Sequence, residues 1–226
     1  SYVDKPFTKE ASFNFEKFKQ HVEKAMRMMD DIIDLELEKV ELIINKIAAD
    51  PEDEDIRRVE LELWKKIRTM ARKGRRTGLG ITAEGDMLAA LGLRYGTPEA
   101  TAFAVKVQKT LALEAYRASV KMAAERGAFE IFDARKEEKN PMIGRIREAD
   151  PELYAEMVKH GRRNIAMLTI APTGTTSLMS QTTSGIEPVF RPVYKRRRKI
   201  NPSDQDAKVA FVDDMGEKFE EYNVYH

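Results

Sequence analysis

The chain has no cysteine among its 226 residues, so disulfides, thiolate metal sites and cysteine nucleophiles are excluded for it. Histidine is nearly as scarce. His21, His160 and His226 stand too far apart in sequence to read as a zinc site, and no metal is expected on this chain. No uninterrupted apolar run approaches the ~20 residues of a membrane span, and no secretory signal opens the sequence. Neither sign of charge dominates: 39 basic residues face 38 acidic ones, for a net charge of +1. That balance leaves no electrostatic footprint for nucleic acid. The expectation is a cytoplasmic protein with neither a membrane nor a nucleic acid as partner. What is present, 42% hydrophobic and 34% charged residues rich in Glu, Lys and Arg, suits a globular chain long enough for one or two domains. The same charged fraction would suit the surface ion networks of a heat-adapted protein.

Helical periodicity fills most of the length. Apolar residues fall at 15, 18, 22, 26, 29 and 33 and continue at 37, 40, 44 and 47, which predicts one or two long amphipathic helices. "DPEDED" then reads as a start signal, with Asp50 as cap, Pro51 in the first helical position and acids at the positive end of the dipole. The helix that follows should carry Leu61, Trp64, Ile67, Met70 and Ala71 inward and end near Gly74. Thr97 with Pro98 opens a further helix to about Arg126, and Asp150 opens one that ends at Gly161. Between them, Leu79 to Thr82 reads as a short buried strand and Asp86 to Leu91 as a short helix. Residues 164–170 are almost continuously apolar, as expected of a parallel strand buried on both faces. The order predicts one helix-rich α/β unit over residues 1–226. Near the end, Phe211, Met215, Phe219 and Tyr222 keep helical spacing with no cap after them. With Ser1 in place of an initiator methionine, both ends read as cut from a longer polypeptide, residues from about 200 being the start of a truncated carboxy-terminal region.

The run "APTGTTSLMS", residues 171–180, follows directly on the apolar "NIAMLTI". Hydroxyls fill cores poorly, and Pro172 and Gly174 would break any element that continued through them. The layout predicts a strand that stops, a tight turn, and a helix whose first amides point at something negative. Such a turn gathers unpaired N–H groups and the positive end of a dipole, which favours an anion such as phosphate. Gly174 leaves room for close approach, while Thr173, Thr175, Thr176 and Ser177 can add hydroxyl donors. No lysine follows, so this is not the G-x-x-x-x-G-K-[ST] loop of nucleotide hydrolases. The same residues also read as an ordinary hydroxyl-capped helix start that binds only water, with "SQTTSG" at 180–185 an ordinary loop. On these residues alone both readings stay open.

"APTGTTSLMSQTTSGIEPVFRPVYKRR" resembles the substrate-phosphate loop of ribonucleotide reductase large chains, and "RRTGLGITAEGDMLAALGLRYG" resembles a second signature of that family. The two stand in the family's order, with long helices before and between. "TGTTS" with "SGIEPVF" is most similar to the adenosylcobalamin-dependent class II enzymes. The resemblance implies the second half of a ten-stranded α/β barrel that reduces ribonucleoside diphosphates or triphosphates by radical chemistry. It implies that Pro172, Thr173, Gly174, Thr175, Thr176 and Ser177 hold substrate phosphate, with Glu187 and Pro188 in the adjoining turn. As partners it implies the missing amino-terminal half of the barrel and, in the full enzyme, a homodimer. The family's thiyl radical and reducing cysteines have no counterpart here, so the segment is expected to be inactive alone. Two departures stand out. Ala83 and Glu84 occupy places where a glycine and an apolar residue are expected, and a charged helical stretch from about Glu36 to Glu62 reads as a solvated insertion.

Two rival readings remain: a non-catalytic helical module or split barrel remnant that docks a partner chain, and an iron-dependent class I large chain. "YKRRRK" at 194–199 reads as a solvated face or a loop touching substrate phosphate rather than a nucleic-acid patch. Glu114, Asp86 and Glu187 are candidate buried carboxylates, with no spacing that pairs them for acid–base work and no catalytic residue among them.

Overall fold

The computed structural model describes residues 2–204 and 206–225; Ser1, Gln205 and His226, the third histidine, lie outside the described residues. A two-residue ladder joins β1 (Val3–Asp4) to β2 (Ser12–Phe13) ahead of a single long helix, α1 (Phe15–Ala48). The Asn14 side chain accepts the Lys17 N–H at 3.0 Å and so caps α1. At 34 residues this helix spans about 50 Å. Edge-to-face contacts among Tyr2, Phe13, Phe15, Phe18 and Phe103 seat its first turn.

The second helix, α2 (Glu54–Gly74), starts later than "DPEDED" suggests. Its cap is Asp53, which accepts the Asp55 N–H at 2.9 Å, while Asp50 takes the Glu52 N–H inside the connecting loop. Pro51 therefore stands in that loop rather than at the first helical position. The inward stripe also needs correction. Leu61, Trp64, Ile67 and Ala71 are only half-buried, and Met70 is 66% exposed. The reason is geometric: α2 lies along α1, so the side of the stripe turned furthest from α1 faces water.

After α2 come α3 (Glu84–Ala90) and α4 (Pro98–Arg126), the latter capped as expected by Thr97, whose Oγ1 accepts the Ala100 N–H at 3.3 Å. The short α5 (Ala134–Glu137) leads to α6 (Pro141–Ala149) and α7 (Pro151–His160), and Asp150 caps α7 through the Leu153 N–H at 2.9 Å. The main core joins Phe18, Val22 and Met26 of α1 to Val107 and Leu111 of α4, and closes with Ile146, Leu153, Met157 and Met167.

The two expected strand segments do meet, in parallel, with Leu79 opposite Leu168. Leu79 N–H donates to the Met167 carbonyl at 2.7 Å, and Thr169 N–H donates back to Leu79 at 3.0 Å. Neither grows into a regular strand. Ile170 is 67% exposed and Thr169 is exposed too, so the expectation of two buried faces fails at this end. Parallel pairs are stable when further strands flank them and helices cover both faces. Among the described residues no third strand pairs with either segment. The architecture is a helix-rich α/β one.

Beyond α8 (Gly174–Ser180) the chain forms an antiparallel sheet of β3 (Val193–Lys199), β4 (Phe211–Val212) and β5 (Lys218–Tyr225), in the order β3-β5-β4. The helical spacing of Phe211, Met215, Phe219 and Tyr222 thus corresponds to no helix. Phe211 and Phe219 are cross-strand partners with stacked rings 4.9 Å apart, and Met215 sits exposed in the intervening turn. The basic run lies on β3, where Arg197 meets Glu221 at 2.7 Å and Arg198 meets Glu220 at 2.6 Å. Lys195 and Lys199 also meet acids, Glu221 and Glu217, and all seven residues of β3 are exposed. Among the described residues no helix is long and apolar enough to cross a membrane.

Candidate functional site

Two stretches far apart in sequence are wired together beside α8. Thr82, just beyond the parallel bridge, places its Oγ1 2.9 Å from Thr173 Oγ1 and donates to the Thr183 carbonyl at 3.2 Å. Thr173 Oγ1 in turn accepts the Gly185 N–H at 2.7 Å. Asp86 and Thr183 exchange two further bonds: the carboxylate accepts Thr183 N–H at 2.9 Å, and Asp86 N–H donates to Thr183 Oγ1 at 3.3 Å. The start of α3 therefore stands directly against the "SGIEP" turn. The approach is so close that a Cβ on Gly85 would lie 2.6 Å from the Glu187 carbonyl oxygen. Only glycine fits there.

The six residues expected to hold phosphate form one continuous turn, but their side chains divide into two groups. Thr173 is half-buried and its hydroxyl is engaged as above, while Ser177 is buried and donates back to the Gly174 carbonyl at 2.7 Å. These two hydroxyls serve the turn itself. Pro172, Gly174, Thr175 and Thr176 are exposed. A Cβ on Gly174 would meet no atom within 4 Å, and the Thr175 and Thr176 hydroxyls make no hydrogen bond among the described residues. Thr173 adopts a left-handed conformation (φ 51°, ψ 27°) and does not cap α8 with its side chain. Among the described residues the first-turn amides of α8 have no hydrogen-bond acceptor, and the residues that carry them, Gly174, Thr175 and Thr176, are exposed. Exposed Ile170, Leu178, Met179 and Phe190 stand near this turn in the chain, an apolar complement that water covers poorly.

The buried carboxylates are not the expected ones. Glu187 is exposed, and Asp86 and Glu114 are half-buried. The fully buried acid is Asp30, 0% exposed, whose Oδ1 accepts from Arg75 Nε at 2.8 Å and from Asn164 Nδ2 at 3.0 Å, and whose Oδ2 accepts from Arg163 Nε at 3.2 Å. Burial pushes the Asp30 carboxyl up, but the bond and charge of Arg75, with the bonds from Asn164 and Arg163, hold it below the usual carboxylate range. Arg75 is the mirror case: burial lowers it, and bonds to Asp30 and Asp34 raise it overall. The sequence did carry one signal for Asp30, a charged residue on the stripe of Met26 and Ile33. Glu84, also buried, accepts from Gln108 Nε2 at 2.8 Å, which explains how an acid is tolerated where an apolar residue was expected.

Asp30, Asp31 and Asp34 bring carboxylate oxygens within 4.8 Å of one another. Arg75 and Arg163 already occupy Asp30, Arg75 occupies Asp34, and Arg126 occupies Asp31, so the trio is an ion-pair network. Of the described histidines, His21 Nδ1 lies 3.1 Å from the Tyr2 hydroxyl, and His160 lies beside Glu156.

The sequence matches the ribonucleotide reductase barrel domain over residues 2–218. It is 36% identical over 127 residues to a vitamin B12-dependent ribonucleoside-diphosphate reductase of Mycobacterium tuberculosis, covering 56% of this chain and 16% of that protein. A protein of the same description from Thermoplasma acidophilum is 31% identical over 183 residues, covering 81% of this chain and 18% of that one. The ribonucleoside-diphosphate reductase subunit alpha of Treponema pallidum is 30% identical over 134 residues, 55% of this chain and 15% of that protein. The chain therefore spans less than a fifth of the length of these relatives. With its two signature stretches in order and hydrogen-bonded to each other, the chain belongs to the ribonucleotide reductase family, within the barrel domain.

Proposed function

We propose that this chain is the part of a ribonucleotide reductase that holds the phosphate groups of a ribonucleoside diphosphate while its ribose is reduced to the 2′-deoxy form. The observation that carries the reading is the open turn at Gly174–Thr176, whose amides and two hydroxyls find no hydrogen-bond partner among the described residues although the residues around them are firmly wired. A phosphate there would receive backbone N–H bonds and up to two hydroxyl bonds, and charged acceptors strengthen such bonds. Pro172 shapes the turn, while Thr173 and Ser177 hold it from inside. Triphosphate substrates would use the same contacts.

The parallel bridge between Leu79 and Leu168 is, in this reading, the meeting of two strands of a ten-stranded barrel, the second half of which this chain supplies. The other strands, and the exposed apolar residues' cover, come from the missing amino-terminal half, in an enzyme that works as a homodimer in the cytoplasm. The radical step belongs to those other parts, because a thiyl radical needs a cysteine and this chain has none. The names of two relatives, both vitamin B12-dependent reductases, support cobalamin chemistry for the whole enzyme, and class II chemistry with adenosylcobalamin is the form we propose. Among the described residues the one cluster of metal-ligating side chains, Asp30, Asp31 and Asp34, is taken up by arginines and does not fit that cofactor as a ligand set. His21 and His160 are engaged by Tyr2 and Glu156, and no step attributed to this segment runs through cobalt.

The test is calorimetric titration of ADP into the chain combined with its amino-terminal half. Replacing Thr175 and Thr176 together by alanine should weaken binding by at least about tenfold, the effect of losing one to two bonds to a charged group. Unchanged affinity would remove the phosphate role from this turn.

A further inference from the structure

The hydrogen-bond wiring has a definite direction, and one residue sets it. A carbonyl oxygen can only accept, so the Thr82 hydroxyl proton goes to Thr183 O, 3.2 Å away. The Thr173 hydroxyl must then donate its own proton to Thr82 Oγ1 at 2.9 Å. That leaves a Thr173 lone pair for the Gly185 N–H at 2.7 Å. The result is one chain of donors, Gly185 N–H to Thr173 to Thr82 to the Thr183 carbonyl, in which each bond polarises the next. Its far end is held by the paired bonds between Thr183 and Asp86. Thr173 sits in a left-handed conformation that a β-branched residue adopts only when its surroundings impose it.

We propose that Thr82 is the positioning residue of the turn: its hydroxyl holds Thr173 left-handed and Gly185 beside it, and so fixes where Gly174, Thr175 and Thr176 present their donors. Thr82 itself touches no ligand. The wiring stands on geometry alone, and its consequence for binding rests on the phosphate reading above. Being local, the role predicts loss of order in residues 171–185 with the helical core intact.

The experiment uses the full chain with Thr82→Val, which keeps shape and removes both bonds, and Thr82→Ser, which keeps the hydroxyl. Two quantities are read: amide exchange at Gly185 by NMR, and the affinity for inorganic pyrophosphate of the chain combined with its amino-terminal half. In Thr82→Val, Gly185 exchange should rise about tenfold and pyrophosphate should bind about tenfold more weakly, as expected when linked hydrogen bonds are lost. Thr82→Ser should restore both to within about twofold, which a purely steric role for the threonine would not predict. Wild-type exchange and affinity in Thr82→Val would overturn the proposal, as would a folded Thr82→Ser chain that behaves like the valine variant. If the wild-type chain combined with its amino-terminal half shows no pyrophosphate binding, the phosphate reading fails while Gly185 exchange still judges Thr82. If Thr82→Val does not fold, Thr173→Val and Thr173→Ser interrupt the same chain of bonds at its centre and are judged by the same two outcomes.

Discussion

Ala83 shows how a single residue can disagree with its place. It precedes α3 at φ 64° and ψ 32°, a left-handed conformation that costs an L-residue about 1–2 kcal/mol and glycine almost nothing. The neighbouring contacts impose it, because Glu84 N–H reaches the Gly185 carbonyl at 3.3 Å and Gly85 abuts Glu187. Ala83→Gly should therefore stabilise the chain, by about 0.5–1 kcal/mol after the extra freedom glycine gives the unfolded state is subtracted. Chemical denaturation would show this as a raised midpoint with unchanged slope. An unchanged or lowered midpoint would mean that the local conformation is relaxed. This position was partly legible beforehand: glycine was the residue expected there, and the backbone conformation supplies the reason. Thr82 was not legible, since a threonine at a strand end is ordinary and its partners lie about 90 to 100 residues away. Glu84 was visible only as an anomaly, because its partner Gln108 comes from a different helix.

At the level of elements, local chemistry was readable at two lone start signals. Thr97 with Pro98, and Asp150 with Pro151, each offer one cap followed by one proline, and both helices begin there. "DPEDED" offers two aspartates, and the choice between them depends on how the chain turns back along α1. The structure selects Asp53. Asp53→Ala should cost about 1 kcal/mol of stability through the lost cap, whereas Pro51→Ala should change it by less than about 0.5 kcal/mol. Urea midpoints of the two variants check the assignment, and the reverse ranking would restore Asp50 and Pro51 as the start of the helix. The carboxy-terminal sheet was illegible for a different reason. All seven residues of β3 are exposed, so no face is buried and no alternation of apolar and polar residues is written into it. Phe211, Met215, Phe219 and Tyr222 fit a helical period while belonging to two strands and a turn. Periodicity reports burial, and where little is buried it reports nothing reliable about structure.

The whole molecule is organised around a charge that no local pattern required. Asp30 on α1 joins Arg75 after α2, Asn164 and Arg163 on the second bridge segment, and Arg126 at the end of α4. Ser119 completes the network by donating to Asn164 Oδ1 at 2.9 Å. These contacts set the positions of both segments that carry the site, since Asn164 Nδ2 also donates to the Arg75 carbonyl at 3.1 Å. The folded Asp30 carboxyl lies below its ordinary value near 3.9, so its ionised form contributes stability that is fully present above about pH 4. That contribution disappears as pH falls through the lowered folded value. Unfolding free energy should accordingly show no dependence on this group from about pH 7 to 5, and a decline below about pH 4. Asp30→Asn keeps the shape but leaves the buried Arg75 without its main counter-charge, which should cost about 3–5 kcal/mol at neutral pH. The same variant should lose less stability than the wild type between about pH 4 and 2, because the group that titrates is gone. Denaturation midpoints of both proteins across that range measure the difference, and parallel acid limbs would show that Asp30 is not the residue through which acid loosens the fold.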